Sequence, residues 1–219
     1  MRTKENLVNP ASDYYLYQPS TIASKLYLYP KEIGYFYYEP GYWRSRIQYN
    51  SFLLMYIAKG TCQVLLPDQQ LQNAVAGQVV LIDCYVPHEY GFDCNAEVSW
   101  IHFDGPLARD FYDLITASHG NIISPSNSFP ITNGLDQMLH VFRNSKPLKE
   151  GEASEMITQM LNTLLYTRAY SGNTTSHFKV VEKSRAYINE HFSEPLTLEQ
   201  LAKNANMSPF HFSRVFTAQ

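Results

Sequence analysis

The residues in this chain that could do chemistry are few and scattered. His88 and His102 are the strongest invitation to a metal centre. A transition-metal site needs three or four nitrogen, oxygen or sulfur ligands. His102 has no His or Cys at ligand spacing, which leaves one well-placed candidate and no set. His119, His140, His177 and His191 show no ligand spacing either and read as surface or helix-end residues. Cys62, Cys84 and Cys94 are odd in number and form no CxxC pair, so free thiols in a reducing compartment are expected. The sequence carries no P-loop, GxSxG elbow, nucleotide fingerprint or paired-carboxylate motif. It does carry aromatic side chains in quantity, with 17 Tyr, 12 Phe and 2 Trp. An aromatic face with a few polar groups is how a small barrel holds a sugar.

Such residues need a scaffold, and the composition supplies one. Hydrophobic residues make up 45% of the 219 and charged residues 17%, enough apolar surface for a core and too little charge for disorder. The formal net charge of −3 is not that of a chain that binds nucleic acid along its whole length. Negative charge gathers in the first 120 residues and only the last stretch leans basic, a hint of divided labour. No apolar run reaches the length of a membrane span, and the opening MRTKENLVNP lacks a signal peptide's apolar stretch, so a cytoplasmic protein is expected.

Short β-prone runs recur through the first hundred residues: Lys25–Tyr29, Gly34–Tyr38, Phe52–Ala58, Thr61–Leu66, Gln78–Asp83 and Glu97–Phe103. Turns are expected at Lys59–Gly60, Pro67–Asp68 and Ala76–Gly77. Many short strands at that spacing predict an all-β sandwich or barrel. After Phe103 the period becomes helical, at Leu107, Phe111, Leu114 and Ile115 and again at Leu135, Met138, Leu139 and Phe142. Gly120–Pro130 reads as a polar loop between them. Glu152–Tyr170 reads as a longer amphipathic helix with Ile157, Met160, Leu161, Leu164 and Leu165 on one stripe. That stripe could pack on its own barrel or on a partner's equivalent helix. Ser171–Ser176 is the best linker, and Val180–Phe192 is another helix, closed by Ser193–Pro195.

Near the end, Thr197 followed by Gln200 matches a capping box and starts a helix at Leu198 that would bury Leu198, Leu201 and Ala202. Asn204–Met207 turns the chain. Ser208 caps a second helix with Pro209 at its first position, burying Phe212, Val215 and Phe216. Phe210, Ser213, Arg214 and Thr217 lie on another face. Two short helices about a tight turn make a helix-turn-helix, although pattern alone leaves any helical hairpin open.

The string I-x₂-H-F-x₃-L-T-L-E-Q-L-A-x₄-M-S-x₂-H-F-S-R-V-F, from Ile188 to Phe216, resembles the first helix-turn-helix of AraC/XylS-type transcription regulators. FLLMYIAKG, GQVVLIDCYVPHEY and SWIHFDG, within Phe52 to Gly105, resemble the cupin-like sensor domain of sugar-responsive members. The resemblance implies an α+β protein in three parts. A cupin-like jelly-roll barrel would occupy residues 1–120, a helical dimerisation segment 121–171, and a partial DNA-binding domain 172–219. Family members carry two helix-turn-helix units, and this chain holds the first and stops before the second, so it reads as a truncated regulator. The implied function is a ligand-responsive DNA-binding regulator. Its partners would be DNA in the full-length protein, a small effector, expected to be a sugar, and a second copy of itself. No cofactor, metal or membrane is implied.

The resemblance also suggests pocket residues. Tyr90, in PHEYG, matches a pocket tyrosine and Trp100, in SWIHF, the indole that stacks on the sugar. An arginine before FLLMY resembles the one that bonds sugar hydroxyls; spacing favours Arg46, with Arg44 next and His88 nearby. The family's histidine two positions before the tryptophan is Val98 here. The arm Asp13–Ser20 would be the moving part. On the final helix, Arg214 is suited to a bidentate contact with guanine, Ser213 to base or phosphate, Phe210 to a thymine methyl, with Thr217 on the same face. Two rivals stand beside this reading: a cupin enzyme acting on a sugar or small acid, in which the strand TCQVLL lacks the expected metal-binding histidines, and a regulator sensing a non-sugar ligand.

Overall fold

The segment Phe52–Lys59 is apolar at almost every position because both of its faces are covered, one by a barrel interior and the other by helices. The computed structural model describes residues 5–67, 69–167, 184, 188, 196–205 and 207–217, without the side chains of residues 215 and 217. The linker expected at 171–176 lies outside the described residues, as do Asp68 and nearly all of the helix expected at 180–192 with its stop. The chain divides into two compact units, Met1–Thr167 and Arg168–Gln219.

The first unit opens with strand β1 (Asp13–Leu16), helix α1 (Thr21–Leu26), and strands β2 (Tyr29–Tyr38), β3 (Tyr42–Arg46), β4 (Phe52–Lys59) and β5 (Thr61–Leu65). There follow β6 (Gln72–Val75), β7 (Val79–Asp83), β8 (His88–Phe92) and β9 (Ala96–Asp104). Helix α2 (Ala108–His119), β10 (Ile122–Ile123), α3 (Phe129–Arg143) and α4 (Glu150–Leu165) complete it. The strands form two antiparallel sheets, ordered β1-β2-β9-β4-β7-β10 and β3-β8-β5-β6. With the helices this is the expected α+β fold built on a cupin-like barrel. Gly60 turns β4 into β5 with φ 86°, a left-handed conformation that suits glycine.

Two cores follow from strand alternation. Leu53, Met55 and Ile57 of β4 point inward with Val98 and Trp100 of β9 and meet Tyr90 and Phe92 from the other sheet. Phe52 and Leu54 point outward with Ile101 and Phe103 and meet Leu135 and Leu139 of α3 and Ile157 and Leu161 of α4. Arg109 of α2 adds an ion pair to Asp83 at 2.6 Å and lies over the Phe52 ring at 4.6 Å.

One expectation for the first unit needs correction, and one left open is decided. Lys25–Tyr29 is not a strand, because Ser20 Oγ accepts the Ala23 N–H at 3.1 Å and caps α1 over the first part of that run. Leu165 is partly buried, and of the two covers left open for the stripe its own barrel takes Ile157, Met160, Leu161 and Leu164. All four are buried within their own unit, because the apolar outer face of the six-stranded sheet is the nearest cover.

In the second unit the capping box is formed. Gln200 N–H donates to Thr197 Oγ1 at 3.2 Å, and Thr197 N–H donates to Gln200 Oε1 at 2.9 Å. Helix α5 (Leu198–Asn204) packs on α6 (Pro209–Thr217), which is capped where His211 N–H donates to Ser208 Oγ at 3.3 Å. Ala202 and Phe212 are buried, and Phe212 stacks on Phe216 with centroids 5.4 Å apart. Leu198, expected to be buried, keeps 42% of its surface exposed: it stands at the first helical position, a turn before Ala202.

Candidate functional site

Inside the barrel, toward one end, the side chains leave a cavity of about 450 Å³. Its walls come from both sheets. From β3 come Tyr42, Arg44 and Arg46, alternate residues that share the inward face, and across from them Tyr90 of β8. The other wall holds Trp100 and His102 of β9, Leu53 and Met55 of β4, and Glu32 and Phe36 of β2. Tyr14 and Leu16 of β1 also reach the cavity, so the N-terminal arm forms part of its wall. That arm is held outside as well: Asp13 takes two hydrogen bonds from Arg143 at 2.7 and 2.8 Å, and Tyr17 and Ser20 donate to Glu150.

The structure thus brings four of the five candidate ligand residues into one cavity: Arg44, Arg46, Tyr90 and Trp100. His88 faces Arg46 across β3 and β8 but is not among the lining residues. It is buried at the strand's start, its Nδ1 within 2.8 Å of the Val86 carbonyl. Burial and the nearby Arg46 hold its pKa below the usual value.

The two arginines differ. Arg44 forms an ion pair with Glu5 and donates from Nε to Tyr42 Oη at 3.2 Å. Arg46 makes no salt bridge or hydrogen bond among the described residues and lies over the Tyr49 ring at 4.5 Å. The indole of Trp100 rests against the backbone of its cross-strand partner Gly34, where a Cβ would stand 2.5 Å from the ring. Its Nε1–H is buried without a hydrogen-bond partner among the described residues. An unpaired buried N–H costs about 1–3 kcal/mol.

Sequence reasoning missed Glu5, Glu32, Tyr38 and Tyr42, which share this cavity, and weighed His102 only as a metal ligand. Inward alternation along β2, β3 and β9 was the available signal, but it needed the strand pairing to become specific. Among the described residues no group of three or more His, Cys, Asp or Glu is placed to hold a metal ion. The three cysteines are free, and burial pushes the Cys62 and Cys84 thiols up to about 12. No helix among the described residues is long and apolar enough to cross a membrane.

On α6, Phe210 is 81% exposed, Arg214 is exposed and Ser213 half-buried. Thr217 closes the helix, and its side chain lies outside the described residues.

Residues 29–161 match the AraC-like ligand binding domain, and residues 188–219 match the bacterial regulatory helix-turn-helix proteins of the AraC family. No curated protein sequence matches the chain. Among solved structures it is similar to the AraC-like transcriptional activator CuxR, at 13% identity and a TM-score of 0.47, covering 94% of this chain and 80% of that one. It is also similar to a cupin superfamily protein from Desulfitobacterium hafniense, at 16% identity and a TM-score of 0.33, covering 47% and 82%. Oxalate decarboxylase from Bacillus subtilis follows at 18% identity and a TM-score of 0.31, covering 38% and 23%.

Proposed function

We propose, starting from the fact that this chain belongs to the AraC family of ligand-responsive DNA-binding regulators, that its effector is a small neutral carbohydrate held in the barrel cavity. The observation that carries this reading is the lining itself. One indole and several phenols surround two guanidinium groups, those of Arg44 and Arg46, and two carboxylates, those of Glu5 and Glu32. The formal charges cancel. Each hydroxyl of a sugar both donates and accepts, so it can use an arginine and a carboxylate at once, while the apolar face of the ring lies on aromatic carbon.

Binding would change how a homodimer presents its helix-turn-helix units to DNA, which requires different affinities for the effector in two arrangements. Phe210, Ser213, Arg214 and Thr217 are the proposed DNA-contacting face. A thermal-shift screen against mono- and disaccharides tests the effector. Binding stabilises by RT ln(1 + [L]/Kd), about 2.7 kcal/mol at a hundredfold excess over Kd, so a true effector gives a clear rise in Tm. Stabilisation by an organic acid or an aromatic compound, with no sugar active, would overturn the carbohydrate reading.

A further inference from the structure

The inward face of β9 presents Val98, Trp100 and His102 in succession, and the cavity is not shared among them evenly. Val98 is fully buried in the barrel core and does not line the cavity, whereas Trp100 and His102 do. The paired Arg44 and Glu5 line the cavity elsewhere, together with Tyr38 and Tyr42, and one polar end lies beyond the tryptophan on the His102 side. There the strand register sets Glu32 of β2 directly across from His102, with Leu53 of β4 on its other flank. Direct cross-strand neighbours have Cβ atoms about 4.5–5.5 Å apart. Arg46 reaches the same cavity from the opposite sheet.

One side chain outside the lining organises all three. Tyr49 carries the Arg46 guanidinium over its ring at 4.5 Å, meets the His102 ring edge-on with centroids 4.9 Å apart, and donates its hydroxyl to Glu32. Ser51 Oγ lies 2.9 Å from His102 Nδ1, which occupies that nitrogen and leaves Nε2 as the ring atom available for another partner. Burial, reinforced by the nearby Arg46 charge, keeps the imidazole neutral. Neither Arg46 nor Glu32 forms a salt bridge among the described residues, in contrast to Arg44, which is paired with Glu5.

We propose that His102, Glu32 and Arg46 form the specificity-determining end of the cavity, and that they read adjacent hydroxyls of a neutral sugar or polyol. This rests on the carbohydrate reading above. Arg46 donates, Glu32 accepts, and the neutral imidazole does one or the other according to its tautomer. Such a set distinguishes the orientation of neighbouring hydroxyls, because an inverted hydroxyl leaves a buried polar group unpaired. An anionic ligand at this end would face Glu32 and a cationic one Arg46.

Isothermal titration of the full chain with glucose, galactose, mannose, arabinose, xylose, glucuronate and glucosamine tests it. At least one neutral sugar binds, with a tenfold or larger preference over an epimer, and the charged sugars bind more weakly than their neutral parents. Glu32→Gln and His102→Asn each reduce the epimer preference by tenfold or more, while Val98→Ala keeps it. If His102→Asn fails to fold, Glu32→Gln and Tyr49→Phe decide, the second by releasing the carboxylate from its donor. An epimer preference unchanged in the folded variants, or a charged sugar preferred to its parent, overturns the inference and leaves the carbohydrate reading standing. No binding by any of the seven overturns both.

Discussion

Arg44 and Arg46 sit two residues apart on one strand, on one face, and are engaged differently. Arg44 is tied to Glu5 and Tyr42, so its loss should chiefly loosen the residues before β1. Arg46 makes no hydrogen bond or salt bridge among the described residues. Arg46→Ala and Trp100→Ala are expected to weaken effector binding at least tenfold, about 1.4 kcal/mol, in calorimetric titrations. Wild-type affinity in both folded variants would remove them from the site. His102 adds a pH dependence whose sign follows from its buried, neutral state. Its pKa in the folded chain lies well below 6.5, the value for an unperturbed imidazole. Below pH 6.5 the unfolded chain therefore takes up a proton that the folded chain refuses, and stability falls as pH drops through that window. His88 is shifted in the same direction. Urea midpoints should be lower at pH 5.5 than at 7.5, with a smaller difference in His102→Gln; identical differences would show that His102 does not control this window.

Helix α4 illustrates how an element's partner is chosen. Its apolar stripe has the spacing a dimer seam needs, yet the outer face of the barrel already covers it. Leu161→Glu places a charge in a fully buried position and is expected to unfold the first unit or lower its Tm sharply. It should not yield folded monomers, which would mean that the stripe opens in solution. In the second unit the capping box holds the start of α5 through two reciprocal bonds. Thr197→Ala should cost that helix about 1 kcal/mol, read as reduced helicity in peptides spanning residues 196–219. Unaltered helicity would assign the helix start to packing on α6 instead.

For the molecule as a whole, the proposed homodimer would use surface outside the buried α4 stripe. The proposed homodimer is expected to show by light scattering at tens of micromolar, about the range of purified samples; a monomer at that concentration would overturn it. On DNA, Arg214→Ala should lose sequence preference more than general affinity, since a bidentate contact to guanine gives about 1–3 kcal/mol of discrimination. Competition gel shifts against operator and random duplex measure the difference, and an equal loss on both would place Arg214 on phosphate.

The sequence by itself determined whatever depends on neighbours along the chain. Thr197 and Gln200 are three residues apart, and the capping box was legible for that reason. The change from short β runs to helical period after Phe103 marked where strands give way to α2. Tyr90, Trp100 and the arginines before β4 were found through the family motif. The composition of the cavity was decided by the tertiary structure. Glu32, Arg46 and His102 are far apart in the chain and meet only because β2 pairs with β9 and the second sheet closes over them. Alternation said which face His102 shares with Trp100, but not that both of them line the cavity while Val98 does not. The same holds for α4, whose apolar stripe is encoded locally while the surface that covers it is set by packing across the whole unit.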